Sequence, residues 1–112
     1  MPYYLIQITW SAEVGAALVL NPQDHLRLLR PVAEKFDGTI EGAWAAFGEF
    51  DFVAIIQMPH NVGAVAFSKV VSASGATSSI KTTPLVTLEE EREAMEKAGT
   101  ARYRPPARST KN

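Results

Sequence analysis

The chain has 112 residues, a formal net charge of −1, 46% apolar residues and no cysteine. That is enough for one domain with a real core but not for two, and it excludes disulfides, thiolate nucleophiles and cysteine-ligated zinc. The small net charge gives no electrostatic reason to expect nucleic acid or anionic lipid as a partner. No apolar run reaches the ~20 residues of a membrane-spanning helix. No basic stretch precedes the first apolar run, as a signal peptide would require, so the expected location is cytoplasmic.

In chain order, Tyr3 to Trp10, YYLIQITW, reads as a strand covered on both faces, with only Gln7 and Thr9 polar. The small, alanine-rich stretch from Ser11 to Leu20 is either a loop or a short helix capped by Ser11. Asn21-Pro22-Gln23-Asp24 signals a helix start, with Asn21 as cap and Pro22 in the first turn. Leu26, Leu29, Val32, Ala33 and Phe36 follow at helical spacing. Pro31 should kink that helix or end it early, and Asp37-Gly38 is its stop signal.

Thr39 to Phe47 is expected as a second strand, whose Gly42, Ala43, Ala45 and Ala46 imply close packing of another group. GEFD (Gly48 to Asp51) then turns the chain into a third strand, Phe52 to Met58, giving an antiparallel hairpin. After Pro59-His60-Asn61 a helix follows, read on Val62, Val65, Ala66, Lys69 and Val70, with Phe67 and Val71 beside them, ending near Gly75. Ser78 to Val86 is a fourth strand. Pro84 confines it to an edge or a bulge. Thr87 and Glu90 form a capping box that opens a last helix, which stops at Gly99.

The order β-α-β-β-α-β plus a terminal helix predicts an α+β, ferredoxin-like fold with a four-stranded antiparallel sheet. Helices would cover one face of that sheet. The strands are apolar on both faces, so the second face should be buried as well, against another copy of the chain. Two sheets packed face to face make a dimeric α/β barrel. Residues 1–100 form the expected domain. Residues 101–112 form a basic tail, with Arg102, Arg104, Arg108 and Lys111 and no acid, expected to be disordered and solvated.

At this point the residues carry a resemblance. Gly48-Glu49-Phe50-Asp51, the apolar strand after it and Pro59 belong to the series. So do Ala64-Val65-Ala66-Phe67, Ser72-Ala73-Ser74-Gly75-Ala76 and Lys81-Thr82-Thr83-Pro84-Leu85. In this order they resemble the GYD-domain family of small bacterial proteins. The name motif, Gly-Tyr-Asp or Gly-x-Tyr-Asp, has Phe50 at the tyrosine here, which removes a hydroxyl. His60 stands where an acid would be expected. The resemblance implies a ferredoxin-like, dimeric α/β-barrel fold and no particular reaction. The fold's relatives include cofactor-free enzymes and regulatory binding modules, an analogy of fold alone.

The candidate site residues follow from chemistry. Asp51 and Glu49 are either turn formers or general bases at a pocket mouth. Gly48 would supply backbone freedom to that turn. His60, at a helix start, is a candidate neutral base or hydrogen-bond donor, whereas His25 is expected in solvent. Trp10, Trp44, Phe47 and Phe67 would line an apolar pocket between sheet and helices, if one exists. Lys81 either protects a sheet edge or meets an anionic ligand. No phosphate loop, dinucleotide fingerprint or metal-ligand spacing is present, so no cofactor is expected. The leading expectation is a small oligomeric module that binds a small molecule in this pocket. The rivals are a cofactor-independent enzyme using His60 or Asp51, and an interaction module with a filled core.

Overall fold

The computed structural model describes residues 2–107. Three of the four strands are the expected apolar runs: β1 (Tyr3–Trp10), β2 (Thr39–Ala45) and β3 (Phe52–Gln57). β4 (Thr77–Leu85) is the more polar fourth. They form one antiparallel sheet in the order β2-β3-β1-β4. β1 and β3 are therefore central, and β4 is an edge strand, as Pro84 requires. The strand order and the two β-α-β halves are those of the ferredoxin-like fold.

Four helices complete the chain: α1 (Ala12–Leu20), α2 (His25–Lys35), α3 (Asn61–Ala73) and α4 (Leu88–Ala98). The stretch after β1 is a helix, because the Ser11 hydroxyl accepts the Val14 N–H at its start. This moves the start of α2. Asn21 caps the C-terminus of α1, donating its N–H to the Ala17 carbonyl, and Asp24 caps α2 by accepting the Leu26 N–H at 3.0 Å. Pro31 lies inside α2, which continues to Lys35. Asp37 takes the left-handed conformation (φ 63°), and the Gly38 N–H closes onto the Ala33 carbonyl.

The core lies between one face of the sheet and α2 and α3. Tyr4, Ile6 and Ile8 alternate with less buried neighbours along β1, as do Phe52, Ala54 and Ile56 along β3. Leu29 and Ala33 of α2 meet them, with Ala64, Phe67 and Val71 of α3. The buried stripe of α3 is thus Ala64, Phe67 and Val71; of the residues on which the helix is read, Phe67 and Val71 face the core. Val62, Val65 and Val70 are exposed. The helix is apolar nearly all round, so periodicity alone cannot select the inward face.

The opposite face of the sheet carries Leu5 of β1, Val53 and Ile55 of β3 and Trp44 of β2. Leu5 pairs with Ile55, and Val53 with Trp44. Among the described residues no helix covers this face. α4 does not: every one of its residues is exposed. The Cα radius of gyration is 18.7 Å, against ~13 Å for a compact chain of this length. Thr87 and Glu90 of its capping box make both reciprocal hydrogen bonds. Residues 101–107 follow α4 without regular structure and are exposed. The rest of the expected basic tail, 108–112, lies outside the described residues.

Candidate functional site

The GEFD segment holds the β2–β3 loop against the end of β1. Strand β2 ends at Ala45, earlier than expected, because the loop closes there: Ala46 donates its N–H to the Asp51 carbonyl at 2.9 Å. The Asp51 N–H donates to the Ile8 carbonyl at 2.8 Å, and its carboxylate accepts the Trp10 N–H at 3.0 Å. The aspartate, just before β3 begins, therefore extends the β1–β3 ladder by one side-chain bond. Thr9 donates its hydroxyl to the Glu49 carbonyl at 2.9 Å. The Lys81 ammonium lies 5.7 Å from the centre of the Phe50 ring, a cation–π contact. Gly48 is not in the left-handed region, and a Cβ there would meet open space, so its backbone freedom is not what shapes this turn.

Trp10 stacks on His25, with ring centroids 4.0 Å apart, and Phe52 packs near both. His25 is half-buried, contrary to the solvent position expected for it. Its Nε2 is buried with no hydrogen-bond partner. Burial lowers its pKa below the ordinary histidine value, because the imidazolium would lose hydration, while the neighbouring Asp24 opposes the shift.

The remaining predicted residues do not converge. Trp44 is 57% exposed and lies over Gly42, where a Cβ would come within 2.7 Å of its Cη2. The group that requires a small residue in β2 is thus that strand's own indole. Trp44 does border a hollow of about 260 Å³ at the β2 edge, with Asp24 and His25. Phe47 is fully exposed, and Phe67, at 1% exposure, is core. His60 precedes α3 and is exposed, and its side chain makes no capping bond. Among the described residues no three His, Asp or Glu side chains converge as metal ligands would.

A larger concavity lies elsewhere. A groove of about 500 Å³ runs between α3 and the helix-facing side of edge strand β4. Its apolar wall is Ala64, Val65, Ile80 and Pro84. Its polar groups are Tyr4, Asn61, Ser68, Lys69, Ser72 and Thr82. Of the expected site residues, none lines it. At one end the Tyr4 hydroxyl donates to Asn61 Oδ1, which leaves the Asn61 amide N–H groups as donors. In the middle Ser68 donates to the Ala64 carbonyl and so accepts from Thr82 across the groove. Lys69 and Ser72 stand toward the other end. A readable signal was present: residues 61, 65, 68, 69 and 72 share one face of a helix, and four of the five are polar on an otherwise apolar segment.

The family model of the GYD domain matches residues 4–95. The chain belongs to the GYD-domain family. No curated protein matches it. Two solved structures are similar in fold: FFRP-DM1, at 14% identity and a TM-score of 0.48 over 77% of this chain and all of that one, and a hypothetical protein, PHS023, from Pyrococcus horikoshii. The latter is 14% identical with a TM-score of 0.47, over 78% of this chain and 92% of that one. Neither likeness is strong enough to transfer a function to this GYD chain.

Two outcomes follow for the GYD segment and its neighbours. Asp51→Ala should lower stability in urea denaturation by about 1–2 kcal/mol, because the Trp10 N–H loses its acceptor, whereas Asp51→Asn, which keeps one, should stay near wild type. A lowered folded-state pKa means the unfolded chain binds more protons at His25. Its stabilising contribution is present above about pH 6.5 and is lost as the pH falls below that value. His25→Phe should flatten the stability difference between neutral and mildly acidic buffer, measured by the same denaturation.

Proposed function

We propose that this GYD-domain chain is a self-associating module that binds a small molecule, without a cofactor, in the groove between α3 and β4. The observation that carries this reading is the groove itself. About 500 Å³ is room for a metabolite-sized ligand. Apolar side chains on both sides, Ala64 and Val65 of α3 and Ile80 and Pro84 of β4, are interspersed with a few placed hydrogen-bonding groups, the usual composition of such sites. The polar groups are held in place: Tyr4 is 2% exposed and bonded to Asn61, and Ser68 and Thr82 bond each other. A hollow of about 540 Å³ beside Asn21, Asp24 and Arg27 has few apolar residues and no comparable wall.

Self-association is supported by the uncovered sheet face. Leu5, Val53, Ile55 and Trp44 form an apolar surface on the two central strands and β2, and a second copy presents the same surface in return. The exposed Leu88 and Met95 of α4 add apolar area that this protomer leaves uncovered.

The binding reading has a direct test. Val65 faces the groove and is half-exposed, so Val65→Trp should fill it without disturbing the core. Amide resonances of α3 and β4 should shift with a fragment mixture in wild-type protein and stay still in the variant. Shifts elsewhere on the molecule, surviving in Val65→Trp, would contradict the assignment.

A further inference from the structure

The donors and acceptors of this groove are unequally distributed. This inference rests on the groove being a ligand site, as proposed above, and concerns what it takes. No carboxylate lines the groove, and its one charged group is Lys69. Among the described residues the ion pairs are those of Arg92 with Glu89 and Glu96, so the Lys69 ammonium is not neutralised by a neighbour. The hydrogens of the Tyr4, Ser68 and Thr82 hydroxyls are committed, to Asn61 Oδ1, the Ala64 carbonyl and Ser68, so none of the three donates to a ligand. The donors that remain to meet a ligand are the ammonium of Lys69, the hydroxyl of Ser72 and the N–H groups of Asn61. The site offers donors and a cation beside apolar carbon.

We infer that the groove takes a small monocarboxylate with an apolar body. The carboxylate accepts from the Lys69 ammonium and the Ser72 hydroxyl, one helical turn from Ser68. The body lies along Val65, Ile80 and Pro84 toward Asn61. An amine of the same shape would set its charge against Lys69. An alcohol would forgo the charge-assisted bond, which is about twice as strong as a neutral one.

The test uses three probes of one carbon skeleton: hexanoate, hexan-1-ol and hexylamine. Each is titrated into the full chain while the backbone amides are followed by nuclear magnetic resonance. Hexanoate should shift the amides around Lys69, Ser72 and Ile80 at concentrations where the other two do not. Lys69→Gln, at an exposed position that leaves the core intact, should weaken hexanoate by about tenfold. Ser72→Ala should weaken it by less. Equal binding of hexanol or hexylamine, or unchanged hexanoate affinity in Lys69→Gln, would overturn the carboxylate assignment while leaving the groove a binding site. Silence of the α3 and β4 amides toward all three probes would remove both readings.

Discussion

The central strand β1 has large apolar side chains on both sides of its backbone. Tyr4, Ile6 and Ile8 point one way, and Leu5 points the other, with Val53 and Ile55 of β3 beside it. A sheet built on such strands must be shielded from water twice. Helices α2 and α3 shield one face by sealing a core of twelve buried apolar residues. Among the described residues no helix shields the second face, and α4, whose residues are all exposed, adds no cover to it; the proposed self-association would supply one. Self-association in this view comes from the way the hydrophobic residues are distributed over two faces.

The groove follows from the limits of the helical layer. Two helices lie over four strands, and β4, at the edge, is covered from one side only by α3. Along the groove between the helix and the edge strand, the chain places serine, threonine, asparagine and lysine beside its apolar residues. The hydroxyl pair of Ser68 and Thr82 ties α3 to β4, and the Tyr4–Asn61 bond ties α3 to β1. Such bonds hold the helix against the sheet and leave a small number of donors free. The two faces of the sheet thus offer separate surfaces: the open one suits the proposed association, and the helical one borders the proposed ligand groove.

The fold was legible because each element is a run of one periodicity bounded by proline, glycine or a capping residue. Pro84 marked β4 as an edge, and Thr87 with Glu90 marked the start of α4. Boundaries failed where two signals competed: Asn21 and Asp24 are both good caps, and only the presence of α1 assigns the first to ending one helix and the second to starting the next. The candidate site residues do not converge, for a different reason. Aromatic residues such as Trp44 and Phe67 draw attention on chemical grounds, yet one lies on its own strand and the other fills the core. The partner of Asp51 is a backbone N–H forty-one residues away, and no local pattern encodes that. The groove became visible only once α3 and β4 were set side by side, although the polar stripe on α3 was there to be read.

Sedimentation equilibrium of the full chain across a wide concentration range addresses the two-sided sheet most directly. The account predicts twice the monomer mass at micromolar concentration, and a return to monomer in Ile55→Lys, which sets like charges in the centre of the open face while the helical core is untouched. A wild-type chain that sediments as a monomer throughout, with its stability unchanged by that substitution, would contradict it.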